Sequence, residues 1–140
     1  MTMNKMLNLV NQRIALNSVE FQRFEKAPTN SNIIVEDEIC DLSVKGTSIS
    51  MVFKRRAFFK PDSLFSVSVS FIYCGDISEE SLADLEKEEK VFDLSFVSPL
   101  AEKIINGTTI PAHASLLISQ CTALNGAAPL VTPPAFIKNK

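Results

Sequence analysis

Phe65-Ser66-Val67-Ser68-Val69-Ser70-Phe71 is the stretch on which the fold turns. Phe65, Val67, Val69 and Phe71 fall on one side of an extended chain, and the three serines fall on the other. A strand with one apolar face and one wet face belongs to an antiparallel sheet covered on a single side. Just upstream, Lys60-Pro61-Asp62-Ser63 has the composition of a tight connection, with proline placed to fix the turn. Beyond that connection Ile49, Met51 and Phe53 keep the same alternation to about Phe59. Residues 49–59 and 64–74 therefore form a hairpin. Lys54-Arg55-Arg56, inside its first arm, reads as the solvated face of a strand. Phe58-Phe59 is an adjacent pair, so one ring must face away from the core, toward a subunit interface or a bound chain.

Working outward, Cys40, Leu42 and Val44 share a face against Asp41, Ser43 and Lys45 in a strand over 37–46, with Gly46 at a bend. Leu42 and Val44 are either plain core or the lining of a groove. Residues 13–25 form another strand, in which Val19 and Phe21 alternate with Glu20 and Gln22. The phase shifts at Arg23-Phe24, as at a bulge. Residues 27–32 are a loop by composition. After the hairpin, residues 77–89 turn helical: Ser78 can cap, Glu79 and Glu80 suit the first turn, and Leu82 and Leu85 repeat at helical spacing. The run from 90 to 97 is open between a strand and irregular cover, with Phe92, Leu94 and Phe96 alternating slightly in favour of a strand. A last helix starts after Thr109 with Pro111 in its first turn and ends at Gly126. Ala114, Leu117, Cys121 and Leu124 form its apolar stripe, widened by Ile118. Pro129, Pro133 and Pro134 keep the tail extended, free to lie along a neighbour.

The 140 residues suit one domain, with a core over about 13–136, and 46% of them are apolar. With 14 basic and 16 acidic residues there is no clustered basic face of the kind nucleic acid needs. No apolar run is long enough to span a membrane, and the first ten residues lack the continuous apolar stretch of a signal peptide. The three cysteines, Cys40, Cys74 and Cys121, are too sparse for a disulfide framework and fit buried thiols in a reducing, cytoplasmic setting. His113 is the single histidine, which leaves no metal-ligand cluster. It stands eight residues from Cys121 on one helix, about 12 Å along the axis and beyond hydrogen-bond reach. The four glycines, Gly46, Gly75, Gly107 and Gly126, are isolated, so no phosphate loop is present. Neither a catalytic residue nor a cofactor is expected. The acidic helix around Glu79–Glu89 reads as a solvated face.

The tail carries a further signal. Ile110-Pro111, the helix that follows, and Gly126-Ala127-Ala128-Pro129-Leu130-Val131-Thr132-Pro133-Pro134-Ala135-Phe136 resemble the C-terminal signature of SecB-family export chaperones. Phe24-Glu25-Lys26-Ala27-Pro28 resembles the end of that family's first strand, and residues 38–44 its second. The resemblance spans roughly residues 13–136. It implies an α+β fold in which C-terminal helices pack on one face of a four-stranded antiparallel sheet, assembled as a homotetrameric dimer of dimers. Long helices would meet there through Leu117, Cys121 and Leu124. It also implies binding of unfolded polypeptides or preproteins, here by Cys40, Leu42, Val44, Phe58 and Phe59. In family members that hand clients to SecA, an acidic patch lies on the open face of the sheet. Glu25 matches one of its positions, whereas Ser66 and Ser68 stand where an acid is expected. Ala112-His113-Ala114 likewise replaces the family's Tyr-Ala-Arg. Two other readings share the fold: a chaperone dedicated to one partner such as an antitoxin, and a phage-associated adaptor that binds a folded protein.

Overall fold

The computed structural model describes residues 7–24, 32–61, 64–124 and 129–137. Four strands, β1 (Leu9–Arg23), β2 (Asn32–Lys45), β3 (Ser48–Lys60) and β4 (Phe65–Ile77), make one antiparallel sheet in the order β1-β4-β3-β2. Helices follow: α1 (Glu79–Lys87), α2 (Leu94–Val97), a 3-10 turn (Ser98–Leu100), α3 (Ala101–Asn106) and α4 (Ile110–Leu124). The expected architecture is therefore present, a four-stranded antiparallel sheet followed by helices on one of its faces. The core lies between them, with Ile49, Met51, Phe53, Val69 and Tyr73 from the sheet meeting Val97, Ile105, Ile110, Ala114 and Ile118 from the helices.

β2 and β3 are joined through Gly46-Thr47, where Lys45 pairs with Ser48. Gly46 takes φ 61°, the left-handed conformation that such a two-residue loop needs and that a β-carbon resists. β4 buries Phe65, Val67, Val69, Phe71 and Tyr73, as its alternation requires. Gly75 continues that face because the Tyr73 phenol lies over it. A β-carbon on Gly75 would stand 2.5 Å from the Tyr73 hydroxyl and 3.1 Å from its Cζ. Tyr73 is fully enclosed and has no room to retreat. Gly75→Ala is expected to destabilise the fold by about 1–3 kcal/mol, read as a lowered urea midpoint at unchanged slope.

Two bulges place β1 differently from the sequence expectation. Pairing is unbroken from Ser18↔Ser70 to Arg23↔Phe65, so no bulge sits at Arg23. The shifts lie between Val10 and Arg13 and between Leu16 and Ser18. At the second, Asn17 and Ser18 both hydrogen-bond Ser70 Oγ, at 3.0 and 2.7 Å, two residues opposing one. At the first, Asn11 adopts φ 54°, which asparagine tolerates better than most residues.

A third bulge, in β2 between Cys40 and Ser43, corrects another expectation. Cys40 pairs with Val52 and projects to the open face, whereas Val44 pairs with the buried Ile49 and faces the helices. Leu42 packs against the core with Val44, so Cys40, Leu42 and Val44 do not share one face. Asp41, at φ 53°, absorbs the extra residue. All three cysteines are partly exposed, not buried as their composition suggested.

In the segment 90–97, which leaned toward a strand, residues 90–93 are irregular and Leu94–Val97 form α2. Asp93 Oδ1 accepts the Phe96 N–H at 3.0 Å and caps α2. Phe92 and Phe96, four residues apart, bring their rings to 6.4 Å. Ser78 caps α1 as expected, its Oγ accepting from Ser81 N at 3.1 Å. At the start of α4 the side-chain cap is Thr108, whose Oγ1 accepts the Ile110 N–H; Thr109 contributes its carbonyl, to His113. The face of α4 turned to the sheet is Ile110, Ala114, Ile118 and Thr122, with Leu117 and Cys121 on its flank. Leu124 is 85% exposed. Gly126 and residues 27–31 lie outside the described residues.

The largest departure concerns Arg55. Lys54 and Arg56 point to the open face, but Arg55 has the phase of Phe53 and Ala57 and is fully buried. Its Nε and Nη2 donate to the two carboxylate oxygens of Asp37, each at 2.7 Å, and both side chains have no solvent exposure. A bidentate pair of this kind is the geometry that makes a buried guanidinium tolerable. The remaining donors reach the C-terminal tail, at Thr132, Pro133 and Ala135. The tail thus lies over its own sheet. Among the described residues no buried side-chain nitrogen or oxygen is left without a partner.

Candidate polypeptide-binding surface

β1 lies at one edge of the sheet and pairs with β4 alone among the described strands. Its second row of backbone donors and acceptors is therefore offered outward, the arrangement to which an extended chain can add. Leu9, Ile14, Leu16, Val19 and Phe21 pair with Ile77, Tyr73, Phe71, Val69 and Val67, so all five project to the helix-bearing face. The helices leave this row partly uncovered. Ile14 is 38% exposed, Leu16 53% and Val19 39%. Phe21 stacks on Phe65 at 5.5 Å and closes one end. From Leu9 to Phe21 the row runs about 40 Å, long enough for an extended peptide of a dozen residues.

At the Leu9 end the row enters a cleft of about 600 Å³. Leu9, Leu85, Phe96, Leu100 and Ile104 supply its apolar wall, and Asp84, Glu88, Lys90 and Lys103 its charges. Two bonds fix this end of β1 to α1: Ser78 N donates to the Asn8 carbonyl, and Asn8 N donates to Ser81 Oγ, both at 2.9 Å. Apolar walls with polar groups among them suit a side chain that carries its own backbone polarity along.

Tyr73 ties the row to the core. Its hydroxyl donates to Gln12 Oε1 at 2.8 Å, and burial above all pushes its pKa up to about 12. The folded value lies above the ordinary value of 10, so the neutral phenol is favoured by folding. Its contribution to stability is complete below pH 10 and is lost as the pH rises toward 12. As the single tyrosine, in a chain without tryptophan, it can be followed by tyrosinate absorbance without interference. The expected midpoint is near 12, against 10 for the urea-unfolded chain.

The open face is mixed, with Ala15, Ile72 and Val52 aligned across it among polar neighbours. Ser68 lies opposite Glu20 and donates to its Oε1 at 3.5 Å, and Ser66 lies opposite Gln22. Arg56 sits over the Phe58 ring at 4.2 Å. Glu25 lies outside the described residues. Of the phenylalanine pair, Phe58 is on the open face and Phe59 packs edge-on against Phe65 at 5.3 Å, toward the helices. Cys40, also on the open face, keeps a thiol whose pKa is raised by burial, then by Asp41 and Glu38, which lowers its nucleophilicity. Among the described residues no three histidine, cysteine or carboxylate side chains gather as a metal site. No helix among them is long and apolar enough to cross a membrane.

The structure does not unite the residues singled out from the sequence. Leu42 and Val44 lie on β2, at the edge away from β1, and Leu117, Cys121 and Leu124 lie on α4. Leu9, Ile14 and Leu16 were not singled out at all. Their signal was present: Ile14 and Leu16 alternate, Asn17-Ser18 breaks the phase, and Val19 and Phe21 resume it.

The chain matches no family model and no curated protein. Among solved structures it is similar to a SecB-like chaperone of Mycobacterium tuberculosis in complex with a peptide from the HigA1 antitoxin. The two share 10% identity at a TM-score of 0.48, over 90% of this chain and 87% of that one.

Proposed function

We propose that the chain is a SecB-like holdase that binds non-native polypeptide without catalysing a reaction. The observation that carries this reading is the uncovered apolar row of Ile14, Leu16 and Val19 along an edge strand that pairs with β4 alone among the described strands. An extended client would add main-chain hydrogen bonds to β1 and lay alternate side chains along the row into the Leu9 cleft. Folded proteins mostly protect their strand edges, which favours unfolded clients. Leu42 and Val44 on the opposite edge strand, with Phe59 on the strand beside it, are a second contact line, and Cys40 and Phe58 belong to the open face with Ser66 and Ser68. The protein acts in the cytoplasm as a homo-oligomer, with Leu117, Cys121 and the exposed Leu124 at the contact between copies. Holding works by mass action: each bound client is withdrawn from the pool that aggregates.

The test is suppression of light scattering by several unrelated unfolded proteins at stoichiometric chain. Protection of all of them is the expected result. Protection of a single client marks a chaperone dedicated to one partner, an antitoxin or another unstable protein. No protection, with tight binding of one folded protein, would replace the reading by the adaptor.

A further inference from the structure

The C-terminal tail is held as a foreign peptide would be, through its main chain and by side chains. The Leu130 N–H donates to Thr122 Oγ1 at 2.9 Å, and the Thr132 carbonyl accepts from Ser115 Oγ at 2.5 Å. The Pro133 and Ala135 carbonyls accept from Arg55, at 2.5 and 2.8 Å. The Phe136 and Ile137 N–H groups donate to Asn106 Oδ1 at 2.6 Å and Asp37 Oδ2 at 2.8 Å. These partners come from β2, β3, α3 and α4. No strand ladder is involved, so these contacts read an extended backbone, and sequence enters through the tail's side chains.

The tail's own side chains contribute at three places. Thr132 is 2% exposed and accepts from Arg55 Nη1 at 2.9 Å. Leu130 and Phe136 pack against the core, Phe136 edge-on to Phe53 at 5.8 Å. Val131, Pro133, Pro134 and Ala135 face solvent. The requirement on an occupant is thus an aliphatic residue, a hydroxyl residue two further on, and an aromatic four beyond that.

We infer that β2, β3, α3 and α4 enclose a peptide-binding channel in which the protein's own tail is an exchangeable occupant. Its ligand in trans is an extended segment of another polypeptide with the same anchor spacing. The chemistry of the walls favours exchange over simple opening. A departing tail takes three acceptors from Arg55 and one donor from Asp37, groups otherwise shielded from water; another main chain restores three of the four, and a hydroxyl residue at the place of Thr132 restores the last. The two consecutive prolines hold the segment extended in advance, which lowers the ordering cost of docking. This channel lies over β2 and β3, away from β1, and the inference does not rest on the holding of unfolded clients there.

The test uses a fluorescent peptide with the sequence of residues 129–137 and the full chain carrying Thr132→Ala. That change weakens the resident tail and leaves every wall residue in place. The labelled peptide is expected to bind the variant about tenfold more tightly than the unaltered chain, whose intact tail competes from the same molecule. A peptide altered to alanine at the positions of Thr132 and Phe136 should lose that binding. On the unaltered chain, excess peptide should speed hydrogen exchange at the Leu130, Phe136 and Ile137 amides of the protein. Equal affinity for both chains, or unmoved exchange at those amides, would overturn the inference. Neither readout depends on whether unfolded clients are protected.

Discussion

Asp37→Ala is expected to destabilise the protein by about 3–5 kcal/mol, because it leaves the Arg55 guanidinium buried without its counter-charge. Domains of this size have only about 5–15 kcal/mol to lose. The effect should appear as a large fall in the urea midpoint at unchanged slope. Arg55 has no escape: it sits in the middle of β3, with Phe53 and Ala57 on the same face. Removing both charges with side chains of similar volume, Asp37→Leu with Arg55→Met, removes the orphan charge and should recover much of the loss. The double variant should still release the tail, since Thr132, Pro133, Ala135 and Ile137 all lose partners. A cost for Asp37→Ala no larger than that of a surface ion pair, below about 1 kcal/mol, would mean that the pair is reached by water in solution.

The second large effect is on binding. Ile14→Asp combined with Leu16→Asp should weaken the holding of unfolded clients by roughly ten- to a hundredfold. Each side chain forfeits on the order of 1–1.5 kcal/mol of apolar burial against a client. Both residues are 38% exposed or more, so the fold should shift only slightly. The measurement is the chain concentration that halves scattering of a reduced, unfolded test protein, with the urea midpoint as control. Unchanged protection by a folded double variant would remove β1 from the client site.

The sheet was legible because its central strands obey one rule without interruption. Phe65 to Phe71 alternates for its full length, and Ile49 to Phe53 does the same. Arg55 was misread for an instructive reason. Its phase, two residues after Phe53 and two before Ala57, already placed it inside, but a basic triplet suggests solvent. Its counter-charge is eighteen residues away on β2 and its other partners are near the C-terminus, so no local pattern announces them. Cys40, Leu42 and Val44 failed as a set because one extra residue at Asp41 reverses which side faces the helices. The same slip at Asn17 hid Ile14 and Leu16. Residues 92–96 were ambiguous because a spacing of two and a spacing of four coincide there, and Asp93 as a cap was the deciding signal. For the candidate surface the sequence showed that apolar edges exist; which edge stays uncovered depends on where α4 and the tail come to rest.

The two notches in β1 bear on how such an edge stays safe. A smooth strand of this length would be an ideal first rung for a fibril, since identical copies could stack at constant spacing without end. Extra residues at Asn11–Gln12 and at Asn17 break that spacing and twist the strand away from flatness. A single guest strand can follow the interrupted ladder, bending where it bends. A growing stack of copies would have to repeat both interruptions in every layer.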